Sequence, residues 1–488
     1  MGVVQRQGIK NTISSYAGIL IGFISLLVIQ PQLMKPEEIG LARVLFAFST
    51  LISSFISLGV ANMTIKYFPI FKNEKNGHHG FLGFVLLFPI VGFIFSSIGI
   101  IIFREFIIAQ YRRESPMFID YFNYIFPFSM FLAFGTVITT YLISLFKTTV
   151  PSYLSDVYTR LAYIALILAY YFQWLSLPQF IGGYVAVYAG QLLLLIIYLR
   201  SVDRPSLSIN WDFLRSKNVK EMVSFGVLLS FTAIAVLGLK SLDAVLLGKF
   251  LPLSFVGIYA VASFIPTIIE APYNALDRIV TAKVAHFIAE GKTESIKDVY
   301  YKSVKYLSVI AGLLFVGVNC NIESLLRLIG KDYSQGVQVV WIISVGSLIN
   351  MMGGANNGIV LYSTKYWMAA CISLVLVMLS FALNMILIPR LGLQGAAIST
   401  ALSWGGYTLI RVYLVYRRYE FQPYGLATMK TLFIILLCIA VNFIIPDLQN
   451  DVMDIIMRST VLGGSYLLMV YLLKIVPEFH HYLPWENK

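Results

Sequence analysis

The chain has 488 residues, 58% of them hydrophobic and 12% charged, with a net charge of +12 and a mean hydropathy of +0.79. That is too little charge to cover the two or three soluble domains a chain of this length would form, and too much apolar residue for disorder. What remains is an all-α polytopic membrane protein, in which a positive balance reports topology first and attraction to anionic lipid second, not a nucleic-acid partner.

Runs of roughly 20 mostly apolar residues mark spanning helices. In chain order they fall near 11–30, 41–65, 80–103, 121–145, 161–176, 179–199, 222–248, 254–275, 305–320, 335–358, 367–388, 394–415, 431–446 and 457–474. This predicts about fourteen spans. The first run follows basic residues and exceeds the core of a signal peptide, so it reads as a retained helix. Pro31, Pro151, Pro252 and Pro423 fall at span edges or in loops, whereas Pro266, Pro272 and Pro389 fall where they could kink a span.

Fourteen spans put both termini on one side of the membrane. If that side is cytoplasmic, its segments hold 25 of the 36 lysines and arginines and the other side holds 11, the bias expected of cytoplasmic loops. The expected organisation is a six-helix lobe at 1–200, a cytoplasmic linker at 201–221, a second six-helix lobe at 222–418, and two extra helices with a short tail at 419–488. The halves show faint self-similarity. Gly40 and Gly257 match at an offset of 217, as do Lys66 and Lys283, while the Gly-Gly-Tyr at 182–184 resembles the Gly-Ala-Ala at 395–397 at an offset of 213. Six spans per unit give a parallel repeat. Transporters of that design alternate access by rocking one half against the other.

Covalent chemistry has no foothold. No nucleotide-binding G-x-x-x-x-G-K-[ST], no G-x-S-x-G and no H-E-x-x-H occurs, so the chain is expected not to be an enzyme. The cysteines (Cys320, Cys371, Cys438) imply no disulfide framework. The histidines lie outside the apolar runs, so no metal site is expected, and His78-His79 and His480-His481 read as solvated loop and tail residues.

A charge at bilayer depth is costly, so intramembrane ionisable residues are the candidates for mechanism. Lys240 and Asp243 lie three apart in span 7, on one helix face. They read either as a cavity-lining pair or as a neutralised pair locking the helix to a neighbour. Glu270 precedes Pro272 in span 8 and is a candidate coupling acid, or a hydrated residue near the cytoplasmic mouth. Arg43, Arg160, Arg278, Lys283 and Arg411 sit at span ends. Each could snorkel to headgroups; a subset facing a cavity would suit a diphosphate, which arginine binds in pairs of hydrogen bonds. No cofactor is implied beyond a coupling H+ or Na+, or the membrane potential.

The stretch NMILIPRLGLQGAAISTALSW at 384–404 resembles the N-x3-IP-x2-G-x2-GAA-x2-T signature of polysaccharide (O-antigen type) flippases, members of the multidrug/oligosaccharidyl-lipid/polysaccharide exporter superfamily. Asn384, Pro389, Gly392 and Gly395 carry it. SLDAVLLGKFLPLSFVGIYAVA at 241–262 resembles the family's span 7–8 pattern through Asp243, Gly248, Gly257 and Tyr259, and SLGVANMTIKYFP at 57–69 resembles the end of its second helix. The resemblance implies two six-helix lobes plus two helices, in a bacterial inner membrane. It implies movement of polyprenyl-diphosphate-linked oligosaccharide to the outer leaflet. Implied partners are that substrate, membrane lipid, and a polysaccharide polymerase and glycosyltransferases, with no nucleic acid. The lipid II branch of the superfamily carries an Arg-Asp pair in span 1 and arginines in spans 2 and 8; the matching positions here are Ser25 and Leu26, Ser53 and Ser54, and about Ser263. That branch, and cation-coupled multidrug exporters, which often carry an acid in span 1, are the alternatives.

Overall fold

The computed structural model describes residues 2–215, 219–362 and 367–476, together with most of their side chains. Among these residues every regular element is a helix. Among the described residues nine helices are long and apolar enough to cross a membrane alone, or ten if the bent pair Leu253–Phe264 and Thr267–Asn274 counts as one span. The rest of the fourteen are shorter, interrupted or more polar. Span 5 is built from Thr149–Tyr153, a π turn at Leu154–Tyr158 and Thr159–Tyr171, and span 13 is Leu426–Asn442; span 10, one of the nine as Lys331–Met352, is followed by the short helix Asn356–Tyr362. The 43° bend in span 8 falls at Pro266, whose missing N–H removes a helical hydrogen bond.

Local chemistry sets the ends. Pro36 opens span 2, and the backbone N–H of Lys35 donates to Glu38 Oε2 at 3.0 Å, so a carboxylate offsets the positive helix end. Span 6 begins with the Ser176 N–H donating to Gln179 Oε1 at 2.8 Å. The Asn450 side chain accepts from the N–H groups of Val452 and Met453 to start span 14.

The chain divides into two compact units, Met1–Gly257 and Ile258–Lys488. In the first, span 7 (Val219–Phe250) packs on span 2 (Pro36–Ser57) and spans 2 and 4 pack on each other. In the second, Val337–Met352 and Trp367–Leu391 both pack on span 12 (Leu393–Tyr419), and the C-terminal pair packs on span 9 (Thr293–Asn319).

Element boundaries repeat along the chain. Pro36 opens one helix and Leu253 another; Ile102 and Asn319 each close a long span; Arg104–Tyr111 and Ile322–Ile329 are each eight-residue helices; Leu177–Val202 and Leu393–Tyr419 close each series. Corresponding boundaries differ by about 216–218 positions, the register of the Gly40/Gly257 match, as a duplicated helical unit requires. The match at an offset of 213 does not share that register: the start of span 12 corresponds to Leu177, so Gly395 falls opposite Gln179 rather than Gly182.

The signature at 384–404 is a tight helix-to-helix corner. Pro389 lies in the last turn of Trp367–Leu391. Gly392 then adopts φ +59°, a region that disfavours any side chain. A Cβ on Gly395 would overlap the Leu387 carbonyl. Asn384 is buried and its amide donates to Ser380 Oγ at 3.4 Å. The other family positions also pack. Gly248 leaves room for Val44 and Tyr111, and the Tyr259 hydroxyl meets Thr400 Oγ1 at 3.1 Å.

Candidate functional site

In the first unit, spans 1 and 5 meet through glycines. A Cβ on Gly18 would stand 2.7 Å from the Asp156 carbonyl oxygen, and one on Gly22 would overlap the Arg160 guanidinium. The Ser15 hydroxyl donates to Asp156 Oδ2 at 3.0 Å, and Arg160 Nη1 donates to the Gly18 carbonyl. Both helices are widened by a π turn, at Ser25–Ile29 and at Leu154–Tyr158, a distortion that recurs at functional sites. Inside the first, Gln30 Nε2 donates to Ser25 Oγ at 3.2 Å.

Beyond Arg160 stands an aromatic wall. Tyr163 and Tyr184 have ring centroids 4.5 Å apart, Tyr184 and Tyr188 5.9 Å, and Phe128 approaches Tyr184 at 5.2 Å and Tyr188 at 5.1 Å. Phe46 closes the group, 5.8 Å from Tyr188. The three tyrosines and Arg160 are half-buried and Arg43 is exposed. Arg43 lies within electrostatic reach of all three tyrosines, and Arg160 of Tyr188. Two guanidiniums beside partly exposed phenols can bind an anion by charge-assisted bonds and hold a ring by stacking.

In the second unit a polar network ties spans 8, 10 and 12 together. Arg411 is buried, and its Nη1 donates to Asn357 Oδ1 at 3.0 Å. Asn357 Nδ2 donates to Asp277 Oδ2 at 3.3 Å, and Thr281 donates to Asp277 Oδ1 at 3.1 Å. Arg411 Nη2 reaches Thr408 Oγ1 at 3.4 Å, and Thr408 donates to Asn350 Oδ1 at 2.9 Å. One turn before Asn350, Ser347 donates to Glu270 Oε1 at 2.8 Å.

The sequence candidates thus scatter. Arg43 and Arg160 come together in the first unit. Arg411 and Glu270 lie in the second, and Lys283 there is exposed. Asp243 is half-buried on span 7. The side chains of Lys240 and Arg278 lie outside the described residues. Sequence reasoning passed over Asp156, Asp277 and Asn357, and over the three tyrosines. The pattern Tyr184–Tyr188, four apart on one helix face, was the available signal.

Two further clusters hold the structure rather than a ligand. Arg458 of span 14 is 4% exposed and Asp454 1%. Arg458 Nε donates to Asp454 Oδ2 at 2.9 Å, Nη1 to Asn442 Oδ1 at 2.6 Å, and Nη2 to Asp447 Oδ1 at 2.5 Å. Asp454 also accepts from Ser324 Oγ at 2.7 Å, so the helix Ile322–Ile329 is fastened to the C-terminal pair. His78, expected in solvent, is fully buried. Its Nδ1 accepts from the Asn73 N–H at 3.1 Å and its Nε2 lies 3.1 Å from Asp203 Oδ1. The bond from Asn73 requires an unprotonated Nδ1, so Nε2 carries the proton and donates. Residues 77–80 all have positive φ. The strained turn is pinned to the segment 203–210, because the Ser206 N–H donates to Gly77 O and the Asn210 N–H to His79 O.

No family model matches the chain, and neither does any curated protein. Solved structures do. A lipid II flippase MurJ in an inward closed conformation is similar with a TM-score of 0.71 at 12% identity, covering 95% of this chain and 98% of that one. An inward-facing multidrug resistance MATE family transporter of the MOP superfamily gives a TM-score of 0.64 at 13% identity, covering 84% and 94%. Identity this low establishes architecture and not activity. The chain has the all-helical, multi-span fold that these two structures share.

Proposed function

We propose that the protein is a flippase that carries a polyprenyl-diphosphate-linked oligosaccharide across the bacterial cytoplasmic membrane for surface polysaccharide assembly. It works by alternating access, with both termini cytoplasmic. The observation that carries this reading is the pairing of Arg43 and Arg160 with the half-exposed wall of Tyr163, Tyr184 and Tyr188. The guanidiniums suit the diphosphate, the phenols suit the first sugars by stacking and hydrogen bonding, and the polyprenyl tail stays in lipid. The signature at 384–404 favours the polysaccharide branch. Asp277 joins Asp243 and Glu270 as a candidate for coupling to H+ or Na+, since each is a carboxylate at span depth.

The fold equally accommodates a lipid II flippase or a multidrug exporter. Ser53 and Ser54, where the lipid II branch carries arginine, favour neither a second cationic cluster there nor a peptidoglycan precursor. Deleting the gene tests the choice. The account expects loss of surface glycan with lipid-linked intermediates accumulating inside, restored by the wild-type gene and not by an Arg43→Ala, Arg160→Ala form. Unchanged surface glycan together with altered drug sensitivity would favour the exporter.

A further inference from the structure

An α-helix sets residues four apart on one face, within reach of an ion pair. Asp156 and Arg160 of span 5 have that spacing, but the π turn Leu154–Tyr158 lies in the same stretch. Both side chains turn to span 1 instead. Asp156 Oδ2 accepts from the Ser15 hydroxyl at 3.0 Å, and Arg160 Nη1 donates to the Gly18 carbonyl. The two thus bear on one residue, since a Cβ on Gly18 would stand 2.8 Å from Asp156 Cβ. Gly22, one turn on, leaves room for the guanidinium. Both ionic side chains are half-buried, and they stay within electrostatic reach of one another. Arg160 therefore stands between a resident carboxylate and any anion that enters beside Tyr188.

We propose that Asp156 is a positioning residue that sets how tightly Arg160 holds the substrate's diphosphate, by competing with it for the guanidinium. The inference rests on the reading of Arg43 and Arg160 as the diphosphate cluster. A carboxylate within reach of a bound diphosphate repels it, and a half-buried site strengthens the repulsion. The same carboxylate supplies Arg160 with a counter-charge when no substrate is bound, which a cation at bilayer depth requires. A carrier must release what it binds; a cation cluster with no opposing charge would hold a diphosphate tightly and turn over slowly. Ser15 keeps the competition mild, because it holds Oδ2 on span 1 and keeps the carboxylate from closing on Arg160. Ser15 and Asp156 thus tune the site in opposite directions.

The test uses the full-length protein purified in detergent and titrated with inorganic pyrophosphate at constant ionic strength, the rise in Tm reading affinity. The same proteins are then placed in proteoliposomes, where flipping of a polyprenyl-diphosphate-linked oligosaccharide gives KM and kcat. Asp156→Asn should bind pyrophosphate about three- to tenfold more tightly than wild type, between the worth of an exposed and of a buried ion pair. Its KM for flipping should fall likewise, and its kcat should fall too, as release slows. Ser15→Ala frees the carboxylate and should act oppositely, weakening pyrophosphate binding and raising KM by about threefold. Wild-type affinity in both variants, with only Tm lowered, would make Asp156 a mere fastening of span 5 to span 1 and overturn the proposal. So would weaker binding by Asp156→Asn. If Asp156→Asn fails to fold, Ser15→Ala decides alone: affinity equal to wild type or tighter contradicts the assignment. The expected order of pyrophosphate affinities without any flipping would sink the flippase reading and leave the role of Asp156 standing. Flipping by the wild type without that order would do the reverse, and a wild type that neither binds pyrophosphate nor flips would end both.

Discussion

Gly257 meets Pro36 backbone to backbone. A Cβ on Gly257 would overlap the Pro36 carbonyl oxygen, and a Cβ on Gly40 would overlap that of Leu253. The two contacts exchange under the duplication, because Pro36 and Gly40 stand at the repeat offset from Leu253 and Gly257. A methyl group at either glycine has to separate two helices whose backbones touch. Gly40→Ala and Gly257→Ala are each expected to destabilise by about 1–3 kcal/mol. The double variant should cost less than the sum, since both relieve one crossing. Thermal unfolding of the purified variants reads this directly; strict additivity would show two unrelated contacts.

Arg458 and Asp454 should be intolerant of single truncation. Asp454→Ala leaves a buried guanidinium without its carboxylate, a loss of about 3–5 kcal/mol. Folded yield and Tm should fall together, and Arg458→Ala should behave alike. Truncating the exposed Arg113, which pairs with Glu114 at the surface, should change stability by well under about 1 kcal/mol.

His78 predicts a local failure with a structural signature. His78→Ala removes the acceptor for the Asn73 N–H and the donor to Asp203, two partly buried bonds worth about 1 kcal/mol each. The strained residues 77–80 then lose their anchor. Limited proteolysis should find cleavage in 203–210 or 73–80 that the wild type resists. His78→Gln, which keeps one donor and one acceptor, should recover part of the protection.

The tyrosine wall separates stacking from hydrogen bonding. Tyr188→Phe keeps the ring and should reduce transport modestly. Tyr188→Ala removes ring and packing against Phe128 and Phe46 and should reduce it by about tenfold, the size of one lost aromatic contact. Equal defects in the two variants would assign the role to the hydroxyl.

Much of the fold was legible because lipid imposes a simple rule, a run of apolar residues for every crossing. The runs at 80–103 and 179–199 each became one helix, Phe81–Ile102 and Leu177–Val202. The rule misses elements that do not cross. Arg104–Tyr111 and Ile322–Ile329 are short and amphipathic, so no span criterion finds them. It also misreads polar residues whose partners are distant in sequence. Asp203 is 125 positions from His78, and Asp156 is 141 positions from Ser15. Arg458 looked like part of an apolar run because its compensating groups come from the preceding turn and hairpin. Charge alone singled out Arg43 and Arg160, yet only the fold brings them to the same tyrosines.

The most direct measurement is flipping in proteoliposomes containing the purified protein and a polyprenyl-diphosphate carrying a labelled oligosaccharide. The account predicts protein-dependent exposure of the sugar on the opposite leaflet, reduced by about tenfold or more when Arg43 and Arg160 are both changed to glutamine. Flipping at the protein-free rate, or full flipping by the double variant, would contradict it.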